Sequence, residues 1–230
     1  MMIYQEWLSV LLLTGAGLCI GSFISWMAER KPFLISGTIS KKPDLNFSNF
    51  SLLPWLTVLF AGSIFFSLSI LELSAVEAGR QAFFFSFLLA VTVFDLKYRL
   101  IPNRLVLIGI TVWLIFVVSD SVPFIDSLLA GTCAAFILLL IRWLGFWLYQ
   151  QAGMGIGDVK LLFIMGLFLE WEVFWILYLA ITAGGFWAGA GLWLKKTDKN
   201  SRLPFAPFLL LGSLLAMFIF PYNQLLALWM

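Results

Sequence analysis

Two aspartates stand out by where they fall. Asp95 closes the apolar run Phe83-Phe84-Phe85-Ser86-Phe87-Leu88-Leu89-Ala90-Val91-Thr92-Val93-Phe94, and Asp158 opens the run Val159-Lys160-Leu161-Leu162-Phe163-Ile164-Met165. An ionisable group at the edge of a long apolar segment is a functional candidate, because its charge is costly to keep so close to hydrocarbon. Two carboxylates brought together in a low-dielectric site cannot both ionise easily, and they titrate as a unit. The charged member takes a proton from water while the protonated member polarises a peptide carbonyl. Such chemistry needs neither histidine, cysteine nor metal. The chain has no histidine, which removes Ser-His and Cys-His nucleophile pairs, His-ligated metals and a histidine base. Its two cysteines, Cys19 and Cys133, cannot complete a four-ligand zinc site without carboxylates and read as buried core thiols.

A plainer reading pairs Asp95 with Lys97 or Arg99, and Asp158 with Lys160, or makes Asp158 the N-cap of the next helix. The surroundings weigh against it. Asp158 follows Gly153-Met154-Gly155-Ile156-Gly157, where glycines permit positive φ and the close approach of an extended substrate. Pro102, seven residues after Asp95, disfavours helix at Ile101 and turns the chain back. Lys97 and Lys160 are candidates to tune the pair or to meet lipid phosphate. Glu29, Asp44 and Asp198 lie among basic residues and read as solvated counter-charges.

The elements that must position these groups are membrane spans. The 230 residues are 62% hydrophobic and 11% charged, with mean hydropathy +1.02. A water-soluble domain has no surface to hide that much Leu, Phe and Trp, and a disordered chain is far more polar. A net charge of +2 gives no reason to expect nucleic acid. The apolar runs are continuous rather than alternating, so helices rather than a barrel are expected. The spacing predicts an all-α, polytopic integral membrane helix bundle with about eight transmembrane helices. These cover Trp7–Ala28, Pro54–Leu71, Gln81 to about Phe94, Leu105–Val118, Phe124–Tyr149, Val159–Leu169, Val173–Leu194 and Phe205–Phe220. The sixth is short, and one span over Val159–Ile181 is the alternative, disfavoured because it would sink Glu170 and Glu172 in lipid. The first run, lacking a basic cluster before it, reads as a retained span rather than a cleaved signal. The chain reads as one membrane-embedded domain over residues 1–230, with loop 29–53 as an irregular cytoplasmic loop.

Eight spans place 13 of the 14 basic residues on one side, with only Arg80 on the other, and seven of the twelve acids opposite. That side is therefore expected to be cytoplasmic, and Asp95 and Asp158 both lie at its level. Trp7, Trp55, Trp171, Trp193 and Trp229 near span ends read as interfacial anchors. Gly184, Gly185, Gly189 and Gly191 read as small-residue packing within the seventh span. Pro204 and Pro207 are expected to bend the entry to the eighth toward the site.

At these residues the chain resembles the type IV prepilin peptidases, membrane-embedded aspartic proteases named for Gly-x-Gly-Asp. Gly155-Ile156-Gly157-Asp158-Val159-Lys160-Leu161 is similar to the family's G-x-G-D-x-K-L motif. Asp95 with Ile101-Pro102-Asn103 resembles its first aspartate motif. Leu203-Pro204-Phe205-Ala206-Pro207-Phe208-Leu209-Leu210-Leu211-Gly212 resembles its C-terminal segment, and Gly21-Ser22-Phe23-Ile24 with Arg30-Lys31-Pro32 its N-terminal one. The resemblance implies Asp95 and Asp158 as the catalytic pair, with Gly155, Gly157, Lys160, Pro102, Pro204 and Pro207 as motif or site-shaping residues. It implies prepilin or pseudopilin precursors as substrates, cleaved between a basic leader and a hydrophobic helix at the cytoplasmic face of the bacterial inner membrane, with no cofactor. Ser25 stands where the family usually has Asn, and Ala206 where it usually has Gly. Bifunctional members hold zinc on two C-x-x-C pairs in the loop corresponding to 29–53; this loop has no cysteine, which argues against zinc and against the N-methylating function. The rival reading, from the aspartates alone, is a proton-coupled transporter; the lack of an internal repeat weakens it.

Overall fold

The computed structural model describes residues 2–29, 53–70, 74–119, 121–149, 155–193 and 204–219. Most of loop 29–53, Gly153, Met154, Trp229 and the basic residues Lys195, Lys196, Lys199 and Arg202 lie outside them. Among the described residues there is no strand, and eight α-helices follow one another. They are α1 (Met2–Glu29), α2 (Leu53–Ile70), α3 (Ala75–Tyr98), α4 (Asn103–Val118), α5 (Phe124–Tyr149), α6 (Ile156–Leu169), α7 (Val173–Trp193) and α8 (Ala206–Ile219).

Each of the eight apolar runs is thus a helix, and the fold is that of an all-α membrane protein. Four stretches are long and apolar enough to cross a bilayer: Leu11–Ala28, Ala75–Tyr98, Phe124–Leu148 and Ile156–Ala190. The last contains both α6 and α7. Between them Glu170–Glu172 forms a single 3₁₀ turn, and Glu170 has φ 51°, a conformation that costs a non-glycine residue roughly 1–3 kcal/mol. The break falls at the two glutamates, so the sixth and seventh helices are separate elements. The 14 residues of α6 rise about 21 Å, less than the ~30 Å hydrocarbon core.

The largest boundary difference is at α3. Its expected start, Gln81, is preceded by a further turn because Ser74 caps the helix. Ser74 Oγ accepts the Glu77 N–H (3.3 Å), and Glu77 Oε2 accepts the Ser74 N–H (3.1 Å). This reciprocal box satisfies amides that have no partner in the helix.

The chain divides into two compact units, residues 1–121 and 122–230. In the first, α1 packs on α2 through small residues. A Cβ on Gly17 would stand 2.8 Å from the Ala61 carbonyl oxygen, and one on Gly21 2.8 Å from Val58 Cα. Without a hydrophobic force between helices in lipid, such close backbone approach supplies the dispersion that holds them. One turn below, buried Ser25 bonds the Gly21 carbonyl (3.0 Å) and meets Thr57 Oγ1, which bonds the Pro54 carbonyl (2.7 Å). Helix α3 is buried nearly all round from Phe84 to Asp95, as befits a central helix.

In the second unit α5 presents a buried stripe, Ser127, Ala130, Gly131, Ala134 and Leu138, at helical spacing. It packs on α6, whose Leu161, Leu162, Ile164, Met165 and Leu167 are fully buried. At the crossing, Gly131 and Gly166 bring the two backbones together: a Cβ on Gly131 would be 2.8 Å from the Phe163 carbonyl oxygen. Helices α7 and α8 cross at Gly212, whose Cβ would lie 2.9 Å from the Ile176 carbonyl oxygen. The packing glycines are therefore mostly not those expected in the seventh span. Gly185 and Gly189 have nothing within 4 Å, and Gly184 makes only ordinary contact with Phe208.

The opposite face of α5 exposes Ile125, Leu129, Phe136, Leu140, Trp143 and Trp147. Apolar surface on this scale suits lipid rather than water. Hydroxyls behave accordingly: Ser86, Thr92, Thr111, Thr132 and Ser213 each donate to the carbonyl four residues back, which satisfies them without solvent. Cys19 and Cys133 are free and lie exposed on α1 and α5, not buried as expected. Their helices turn a mainly apolar outer face outward, and a thiol costs little there.

Candidate active site

Asp95 sits in the last turn of α3 and is buried, 6% exposed. The helix outruns its expected end at Phe94 by one turn, so the aspartate lies in that last helical turn rather than beyond the helix. The backbone carbonyl of Asp95 accepts the Arg99 N–H at 2.8 Å, and Arg99 ends the helix in the left-handed region (φ 50°, ψ 38°). The chain then passes through buried Ile101 and Pro102 into α4. Pro102 (φ −65°) is the N-cap of α4, its carbonyl accepting the Leu105 and Val106 amides at 3.0 and 3.3 Å. Proline pre-sets the φ needed there. Pro102 thus fixes a short, buried turn after the aspartate's helix.

The same turn of α3 carries two donors. Lys97 Nζ and Tyr98 OH both donate to the Ala28 carbonyl at the end of α1, at 2.8 and 2.9 Å. Lys97 was expected to act on the carboxylates or on lipid; it is engaged by α1. Tyr98 was not anticipated at all. The one signal for it was Pro32, four residues after Ala28, which has no N–H to offer that carbonyl.

Asp158 is half-buried in the first turn of α6. It is not the N-cap: Gly155 holds that position, and Asp158 stands three residues inside. Its Oδ2 accepts the Gly155 N–H at 3.0 Å. This is one half of a capping box, since glycine has no side chain for the return bond. Gly155 is extended, with φ −75°, so positive φ is not what selects glycine here. Space is: a Cβ on Gly155 would lie 3.3 Å from Asp158 Oδ2, tighter than ordinary contact, where glycine leaves room for the carboxylate to fold back. Gly157 and Lys160 follow in the first turns of α6, both half-buried.

The two carboxylates occupy opposite kinds of helix end. Asp158 lies among the free amides at an N-terminus, whose partial positive charge attracts an anion; Asp95 lies toward the carbonyl end, which repels one. Each belongs to a different compact unit.

Pro204 precedes α8, and Pro207 lies in its first turn, where the Phe205 carbonyl accepts the Phe208 and Leu209 amides at 3.0 and 3.2 Å. At that position a missing N–H costs nothing. The prolines start α8 rather than kink it. Among the described residues no group of three or more Cys, Asp or Glu could hold a metal ion, and the sequence of loop 29–53 offers no cysteine.

Comparison with known proteins gives this arrangement its setting. A prepilin leader peptidase/N-methyltransferase of Pectobacterium carotovorum subsp. carotovorum is 31% identical over 147 residues, 60% of this chain and 50% of that protein. The Aeromonas hydrophila protein of the same name is 30% identical over 135 residues, 56% of this chain and 46% of that one. That of Escherichia coli (strain K12) is 26% identical over 141 residues, covering 61% and 63%. The chain spans about half the length of the curated relatives it matches. No solved structure is significantly similar. The model of the type IV leader peptidase family matches residues 82–228, a stretch that includes Asp95, Pro102, the Gly155–Lys160 segment, Pro204 and Pro207. On that match, the chain belongs to the type IV leader peptidase family.

Proposed function

We propose that the chain is a membrane-embedded aspartic endopeptidase that removes the basic leader from prepilin-like precursors, with Asp95 and Asp158 as its catalytic pair. The observation that carries this reading is the family match across residues 82–228, which contains both aspartates. It favours peptide hydrolysis over proton transport. The proposed chemistry is that of a carboxylate pair acting on one water molecule. The charged carboxylate takes a proton from that water as it attacks the scissile carbonyl. The protonated one donates a hydrogen bond to the carbonyl oxygen, and a proton then passes to the leaving amine.

The substrate follows from the membrane setting. A helical peptide bond is already hydrogen-bonded and shielded, so the substrate must unwind locally before attack. Glycine at the junction eases this by about 1 kcal/mol relative to Ala. The lopsided distribution of Lys and Arg supports an active site facing the cytoplasm, in the bacterial inner membrane. A basic leader is attracted there both to anionic headgroups and to the site's carboxylates. Gly155 leaves space beside Asp158, Gly157 and Lys160 belong to the same motif at the start of α6, Pro102 fixes the turn after α3, and Pro204 and Pro207 stand at the start of α8 in the family's C-terminal motif. The N-methyltransferase half of the relatives' name is not carried over, because the loop sequence lacks the cysteines expected for it.

The test is leader release from a prepilin-like peptide by the full chain in detergent micelles, with Asp95→Asn and Asp158→Asn beside the wild type. Both variants should lose cleavage. Wild-type cleavage by either one ends the assignment, and aspartate-dependent proton flux across vesicles without any cleavage revives the transporter.

A further inference from the structure

The Ala28 carbonyl is a problem that α1 cannot solve by itself. It lies in the helix's last turn, and Ala28 is buried at 3% exposure. The residue four places on is Pro32, which has no amide hydrogen. A buried carbonyl without a partner is strongly disfavoured in an apolar setting.

Two side chains of α3 resolve it. Lys97 Nζ donates at 2.8 Å and Tyr98 OH at 2.9 Å, each from about 70 residues away in sequence. Both donors are braced: the Tyr98 ring stacks on Phe94 with centroids 5.9 Å apart, and the Lys97 ammonium lies 5.6 Å from the Tyr98 ring centroid. They sit two and three residues after Asp95, in the same turn of helix. The last turn of a helix ordinarily frays, and a frayed turn would let the carboxylate drift.

We infer that Lys97 and Tyr98 are positioning residues that clamp the Asp95 turn to the end of α1. The inference rests on Asp95 being a catalytic carboxylate. The clamp holds the turn through one shared acceptor, the Ala28 carbonyl. Each donor partly covers for the other.

The experiment uses the full chain in detergent micelles and a prepilin-like peptide, with Lys97→Met, Tyr98→Phe, the double variant and Lys97→Arg. A displacement of 1 Å in a catalytic group can cost about a hundredfold. The single variants should therefore lower kcat roughly threefold and the double variant roughly thirtyfold, with KM within about twofold of wild type. Lys97→Arg should retain most of kcat, because a guanidinium reaches the same carbonyl. Amide hydrogen exchange over residues 96–99 should speed by about tenfold or more in the double variant, a readout independent of catalysis. Should the double variant fail to fold, Tyr98→Phe carries the test alone, since it removes only a hydroxyl. Wild-type kcat and unchanged exchange in the double or in Tyr98→Phe overturn the clamp while leaving an inactive Asp95→Asn to uphold the catalytic assignment. An active Asp95→Asn overturns both.

Discussion

The two aspartates are held by different means, and the contrast says how a site of this kind is assembled. Asp158 is positioned locally. Its own helix start, one backbone amide three residues away and a glycine that leaves room all bear on where it sits. Asp95 is positioned from a distance. It is buried in the last turn of α3, and that turn is tied to α1 by two side chains reaching a carbonyl some 70 residues earlier. One helix presents amides to its carboxylate and the other presents carbonyls, so the two groups have opposite electrostatic settings. A pair whose members must differ in protonation gains from such unequal surroundings.

The sharpest way to break the comparison is to remove the charges while keeping the shapes. Asp158→Asn leaves an oxygen able to accept the Gly155 amide, so the start of α6 should persist. Asp95→Asn is isosteric in the last turn of α3. Each should lower kcat by about 10³-fold or more, with a melting temperature in detergent within a few degrees of wild type. If either variant unfolds instead, that aspartate is a structural group and its role in the pair is lost.

Next in size come effects of helix packing, measured within one unit by the same substitution at two glycines. Gly166→Ala drives a Cβ into the backbone of Gly131 on α5; neither helix can yield cheaply, and overpacking of this kind costs about 1–3 kcal/mol. Gly185→Ala meets nothing within 4 Å and should leave thermal stability unchanged or raise it slightly, by up to about 1 kcal/mol through helix propensity. Equal melting temperatures for the two variants would remove the α5–α6 crossing as a tightly packed contact that stabilises the second unit.

What could be read from the sequence follows the same division. The apolar runs located the eight helices seen among the described residues, because lipid demands continuous apolar stretches whatever their neighbours. Gly155 and Asp158 were legible as a glycine-rich approach to a carboxylate, but the bond between them was not: positive φ was expected, and close approach of the carboxylate to the Gly155 amide is what the structure has. The extension of α3 past Phe94 was hidden because Asp95, Lys97 and Tyr98 look like a polar end to the run, and only the contact with Ala28 makes them part of the helix. The tight glycines at 131, 166 and 212 were indistinguishable in sequence from the open ones at 185 and 189, since nothing local records which face a neighbour covers.

A smaller effect tests the local half of the comparison. Gly155→Ala places a Cβ 3.3 Å from Asp158 Oδ2, so the carboxylate must give by a few tenths of an ångström. Alanine is also a poorer N-cap than glycine. The expected result is a fall in kcat of up to about tenfold, with KM and melting temperature little changed. An unchanged kcat would mean that the Gly155 cradle does not set the position of the carboxylate.

The smallest expected effect concerns the turn that follows Asp95, and it separates positioning from strain. Arg99 ends α3 with φ 50°, a conformation that costs an L-residue roughly 1–2 kcal/mol and glycine almost nothing. The side chain is exposed, and the bond that matters, from its N–H to the Asp95 carbonyl, is made by the backbone. Arg99→Gly should therefore keep that bond and relieve the conformational cost. Against this, the more flexible unfolded glycine subtracts part of the gain. The net expectation is a melting temperature equal to or a few degrees above wild type, with kcat unchanged. A loss of kcat in Arg99→Gly would show that the left-handed residue itself, rather than the clamp on Ala28, determines where the Asp95 turn comes to rest.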